Sequence, residues 1–155
     1  KSKEEILDAL IDRIIQGMVS NIRLALSDKS TALQKLISFV GAMKVDSAIG
    51  KEITDYAHKP QNALMHQKIQ NSLLAVLTPI ASEIIKEGIK EGIVSTNYPE
   101  EAAEMLLIYS SVVFDDMNEM AQTEWERKAA GFVFNMERLL GIQQGSLSEI
   151  INFIN

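Results

Sequence analysis

The chain has 155 residues, 46% of them hydrophobic and 23% charged, with a formal net charge of −6 and no cysteine. That is the composition of one folded domain long enough to bury a core, which excludes a disordered segment. It also excludes disulfides, thiolate nucleophiles and zinc–cysteine sites, and the acidic balance argues against nucleic-acid binding by this chain itself, since phosphate contacts rest on clustered Lys and Arg.

Read in order, nearly every segment carries the helical period and none alternates as a strand does. The opening "KSKEEIL" lacks a methionine and starts on a capping box, Ser2 with Glu5, so residue 1 reads as a boundary just outside a structured element. A first helix is expected over 2–26, where Ile6, Leu10, Ile14, Met18 and Ile22 recur every fourth residue. "SDKST" (27–31) is a loop rich in capping residues, and Leu33, Ile37 and Val40 with Leu36, Phe39 and Met43 mark a second helix. A short third helix is expected over 46–57, ending before Pro60.

The longest helix is expected over 62–92, with Pro79 in its middle. Proline has no N–H for the carbonyl four residues back and crowds it, which predicts a kink costing on the order of 3 kcal/mol without compensation. Gly92 closes this helix, and Pro99, Glu100 and Glu101 suit the first turn of the next, over 99–117. That helix is apolar on almost every side and so needs cover on more than one. Two further capping boxes are expected, Thr123 with Glu126 and Ser146 with Glu149. Between them a helix over 123–140 carries the stripe from Trp125 to Leu140 and ends at Gly141. A short terminal helix over 146–154 completes an all-α fold: a helical bundle of about six helices plus a short C-terminal helix, in a single domain spanning 1–155.

Functional motifs are sparse. The longest apolar runs, such as "LLAVL" and "MLLIY", fall far below the roughly 18 residues of a membrane helix, and no secretory signal is present, so a cytoplasmic location is expected. Two histidines without cysteine identify no catalytic triad, no glycine-rich phosphate loop follows a strand, and no enzyme activity or cofactor is expected. "DYAH" gives Asp55 and His58 metal-ligand spacing on a helix, but the ligand count for a metal centre is not met and no metal site is expected. "GIKEG", with Gly88 and Gly92, reads as a loosened helix end.

"KSKEEILDALI" resembles the stretch at which the helix-turn-helix domain of a TetR-family transcriptional regulator hands over to its regulatory domain. "LTPIASEIIKEGIKEGIVSTNYPEEAAEMLL" is similar to that family's long helix, glutamate–glycine turn and acidic next helix. The resemblance covers about a quarter of the chain. It implies a regulatory domain, commonly of a repressor, whose DNA contacts belong to an N-terminal helix-turn-helix domain outside this chain.

It further implies a homodimer built on the last two long helices, with Leu106, Val113, Phe114, Trp125, Ala129, Phe132, Val133, Met136 and Leu140 at the interface. A small, largely hydrophobic effector is implied in a cavity among the preceding helices, for which the candidates are Phe39, Met43, Tyr56, His66, Ile69, Leu73, Met105 and Tyr109. The first helix would couple that cavity to the spacing of the DNA-binding heads. The competing expectation is a helical interaction domain with no small ligand, which needs neither the junction motif nor an enclosed cavity.

Overall fold

The computed structural model describes residues 3–43, 52, 55–115 and 120–154. Among these, all regular structure is helical: α1 (Lys3–Leu26), α2 (Ala32–Ala42), α3 (Ala63–Lys90), α4 (Pro99–Val113), α5 (Gln122–Leu140) and a short α6 (Ile151–Ile154). Single 3-10 turns at Pro60–Asn62 and Ser148–Ile150 lead into α3 and α6. The helix expected over 46–57 lies largely outside the described residues, which show helix at 52 and 55–57; Ser2 and residues 116–119 also lie outside them.

α3 is the spine. It packs along α4 on one side and against α2 and α1 on others. Its buried residues Leu77, Ala81, Ile84 and Ile85 sit at helical spacing and meet Met18 and Ile22 of α1, Leu36 and Phe39 of α2, and Leu107 of α4 in one core. The helix runs unbroken through Pro79. Both Pro79 and Ala75, whose carbonyl loses its N–H partner, are exposed, so the missing bond faces water rather than the core.

Side-chain ties fix the helix ends. Thr31 caps α2 in a full capping box with Gln34, while Glu91, just past α3, accepts from the Ala32 N–H with both carboxylate oxygens (3.1 and 3.0 Å). A carboxylate on the positive end of α2 satisfies an otherwise orphan donor. Lys86 bridges Glu100 (2.7 Å) and Glu83 (3.0 Å). The hydrogen bond to Glu100, then that to Glu83, raises the Lys86 pKa, and the same lysine lowers that of Glu100.

Two expected capping boxes are corrected. The residue before α5 is Ala121, which has no side chain to cap with, and Gln122 instead bonds Glu126 one turn on (3.0 Å). At the C-terminus, Ser146 lies in a turn and the 3-10 turn begins after Leu147 with no side-chain cap. A buried carboxylate organises this turn: Glu137 of α5, 2% exposed, accepts from the N–H groups of Gly145 and Leu147, each at 2.8 Å. The terminal segment is thereby drawn into the core, where Leu147 and Ile150 are fully buried.

Gly141 ends α5 in the left-handed conformation, φ 64°. Its N–H and that of Ile142 close the last turn on Arg138 and Glu137 carbonyls, and Ser95 N–H takes the Leu140 carbonyl at 2.9 Å. A Cβ there would come within 2.0 Å of Ser95 Oγ. Gly141→Ala is therefore expected to lose about 2–3 kcal/mol from backbone strain and displaced Ser95 together. Urea denaturation measures this, and an unchanged midpoint would overturn it.

Candidate functional site

The helices surround a cavity of about 730 Å³ that is partly open to solvent. Its wall is mostly apolar and comes from all the main helices: Ile11, Ile15 and Met18 of α1, Leu36 and Phe39 of α2, Leu73 and Leu77 of α3, Leu106 of α4, and Phe132 and Met136 of α5. The terminal segment contributes Phe153 and Ile154. Space survives here in part because small residues, Ala81 and Ala103, face inward where larger ones would fill it.

One end of the cavity is polar. His58, His66, Gln70, Ser110, Ser111 and Asp115 gather there from three segments: the turn before Pro60, the first turns of α3, and the end of α4. The Ser110 and Ser111 hydroxyls are spent on carbonyls of their own helix, Leu107 and Ile108, both at 3.0 Å. Gln70 donates to the Ser111 carbonyl at 3.1 Å, which ties α3 to the end of α4, and its amide nitrogen lies 3.4 Å from His66 Nε2. Asp115 Oδ2 stands 2.7 Å from His66 Nε2 and 3.2 Å from His58 Nε2.

Of the eight ligand candidates, Phe39, Met43, His66, Ile69 and Leu73 lie in the cavity wall. Tyr56, Met105 and Tyr109 do not: they are 52%, 60% and 44% exposed. The phase of α4 explains the last two. Its inward face is Ala102, Ala103 and Leu107, so Met105 and Tyr109 point away. Tyr109 reaches the cavity only indirectly, its ring stacked on the outer side of Phe132 (centroids 5.5 Å, planes 4° apart), with Phe114 set edge-on to both.

The expected interface residues are also relocated. Trp125, Ala129, Phe132, Val133, Met136 and Leu140 are each no more than 8% exposed within the single chain, covered by its own core. Leu106, Phe114, Phe132 and Met136 line the cavity, and Val113 is half-buried. What α4 and α5 leave uncovered is a different set. Met105, Ile108, Tyr109 and Val112 recur at i, i+3, i+4 and i+7 along α4, at 60%, 44%, 44% and 68% exposure, and Phe134 stands out on α5 at 43%.

Several wall residues carried no distinguishing mark in the sequence. Ile11, Ile15 and Met18 belong to a stripe that reads as ordinary core. Asp115 sits beside Asp116 in what looks like a polar helix end, and only the approach of the two histidines gives it a role. His66 and the adjacent serines of "YSSVV" were the hints of a polar patch that the sequence offered.

The described helices form an all-helical bundle around a mostly apolar, partly open cavity with a polar end. The family model for the tetracyclin repressor-like C-terminal domain matches residues 44–133, and the chain belongs to that family. It is thus a regulatory domain of the TetR type, a class of regulators rather than enzymes. No curated protein matches the chain in a search of such sequences. No described helix is long and apolar enough to cross a membrane.

Proposed function

We propose that this chain is the effector-binding and dimerisation domain of a ligand-responsive TetR-type repressor, sensing a small, largely hydrophobic molecule in the cavity. The observation that carries the reading is the cavity wall itself, about 730 Å³ of mostly apolar space to which α1 contributes Ile11, Ile14, Ile15 and Met18. In regulators of this family α1 follows the helix-turn-helix domain. A ligand pressing on those four residues biases the angle of α1 and with it the separation of two DNA-binding heads, whose half-sites lie roughly 34 Å apart. The effector acts only if it favours one arrangement over the other.

The polar end then orients the effector. Its long apolar body lies between α2, α3 and α5, and its polar group meets His58, His66, Gln70 and Asp115. Homodimerisation is carried by the exposed stripe of α4 with Phe134, not by the buried stripe of α5. The four α4 side chains share one helix face, which a two-fold partner can cover.

Titration with the neutral fluorophore N-phenyl-1-naphthylamine tests the cavity. One saturable site with a blue-shifted emission is expected. Ile69→Trp, which places an indole in the chamber, is expected to weaken binding by about tenfold or more while leaving the helical circular dichroism intact. Failure of the folded protein to bind the probe, or binding indifferent to Ile69→Trp, would overturn the effector reading and favour a helical interaction domain.

A further inference from the structure

The polar end of the cavity holds a group of side chains whose chemistry is not that of a simple hydrogen-bonding patch. One ring nitrogen each of His58 and His66 and a carboxylate oxygen of Asp115 all lie within 4.8 Å of one another. The two imidazoles face the same oxygen, Oδ2, at 3.2 and 2.7 Å, with ring centroids 4.8 Å apart and planes inclined by 49°. His58 Nε2 is shut off from solvent, and its 3.2 Å approach to Asp115 Oδ2 does not form a well-directed hydrogen bond. A buried ring nitrogen held this way is open to a better-placed partner.

From this geometry we propose that His58, His66 and Asp115 form a binding site for a divalent transition-metal ion of the zinc, cobalt or nickel class. Two imidazole nitrogens and one carboxylate oxygen are a ligand set these ions accept, at roughly 2.0–2.2 Å from the metal. Donors at that radius in tetrahedral or octahedral arrangement stand roughly 3–3.4 Å apart, close to the 2.7 and 3.2 Å separations found here. An ion between the three donors satisfies the His58 nitrogen and replaces two contacts on one oxygen with three metal bonds. Gln70 flanks the site. Its amide nitrogen sits 3.4 Å from the same His66 Nε2, a contact that a bound ion would displace, while it donates to the Ser111 carbonyl and so ties α3 to the end of α4.

Three protein ligands leave coordination positions open, as in zinc sites that bind a further molecule. All three residues line the cavity, so those positions meet whatever occupies it. The ion and one carboxylate together carry net positive charge at the end of an apolar chamber. That combination selects an effector with an apolar body and an anionic or chelating head, such as a carboxylate or hydroxamate. This specificity rests on the effector reading above, whereas the metal site stands on the geometry alone.

Co²⁺ titration of the full chain, followed by visible d–d absorption, tests the site. One equivalent is expected to bind with a saturable spectrum, and Zn²⁺ should displace it. His66→Ala and Asp115→Ala are each expected to weaken Co²⁺ on the order of 100-fold or more. Asp55→Ala, the carboxylate at helical spacing from His58 but exposed and outside the cavity, should leave it unchanged. Where an alanine variant fails to fold by circular dichroism, His58→Gln and Asp115→Asn take its place. Absence of a saturable spectrum, or affinity unmoved by all of these variants, would overturn the metal site. Acetohydroxamate added to the Co²⁺-loaded chain should shift the bands, and unshifted bands would remove the open positions facing the cavity. Naphthylamine binding measured on the same samples separates the two readings: probe bound without Co²⁺ sinks the metal site alone, and Co²⁺ bound without probe sinks the effector cavity alone.

Discussion

Replacing Glu137 with alanine is expected to destabilise the domain by about 3–5 kcal/mol. The carboxylate is 2% exposed and takes two backbone N–H groups, Gly145 and Leu147, at 2.8 Å each. Hydrogen bonds to a charged group contribute about 1.5–3 kcal/mol apiece, and truncation leaves both donors facing a cavity too small to hydrate them freely. The loss does not stop at α5. The turn that Glu137 holds positions Leu147 and Ile150, both fully buried, and beyond them Phe153 and Ile154 in the cavity wall. Glu137→Gln keeps one acceptor but turns an amide N–H₂ toward the other donor, so about half the loss is expected. For a domain of this length the alanine variant should melt about 10 °C lower. Calorimetry measures both; a melting temperature within 2 °C of wild type would show that the terminal turn is held by its apolar residues alone.

The second large effect is on assembly. Val112, 68% exposed at the C-terminal end of the α4 stripe, makes little contribution to its own protomer, so Val112→Asp should leave protomer stability within about 0.5 kcal/mol. Across a two-fold axis the same change puts two carboxylates into an apolar contact. An uncompensated buried charge costs about 3–5 kcal/mol, so the dimer should weaken on the order of a thousandfold. Light scattering coupled to gel filtration should then report 17.2 kDa for the variant and twice that for wild type. Leu24→Asp, at a 75% exposed position on α1, which packs chiefly on α2, should remain dimeric. A monomeric wild type, or a Val112→Asp variant that stays dimeric, would remove the α4 stripe from the interface.

The two experiments separate what α5 and α4 do. α5 carries the strongest apolar stripe in the second half of the chain, from Trp125 to Leu140, and the structure turns it wholly inward. Its burial is a folding contribution, made before any partner arrives. α4 carries less contrast between its faces, and for that reason its outward side keeps the apolar residues that association can use.

The sequence by itself determined the helices and the class. The 3.6-residue recurrence from Ile6 to Ile22 and from Trp125 to Leu140, Pro99 at a helix start and Gly141 at a helix end are local signals, set by backbone geometry that needs no distant partner. The junction motif pointed to the family that the family model then matched over residues 44–133. Local chemistry was less dependable where tertiary contacts compete with it. Thr123 and Ser146 have the right spacing for capping boxes, yet α5 begins earlier and Glu137, eight to ten residues away, takes over the donors of the terminal turn.

Only the tertiary structure decided which apolar residues line a chamber, which fill the core and which stay outside. Helical period says that Leu106, Tyr109 and Phe132 lie on apolar faces, but the rotation of each helix about its axis, set by packing against α3, assigns Leu106 and Phe132 to the cavity and Tyr109 to the outside. The polar end was equally invisible from the chain order, because His58, His66 and Asp115 come from three segments and share neither a helical turn nor a motif. Spacing along the chain had paired His58 with Asp55; folding paired it with a carboxylate 57 residues later.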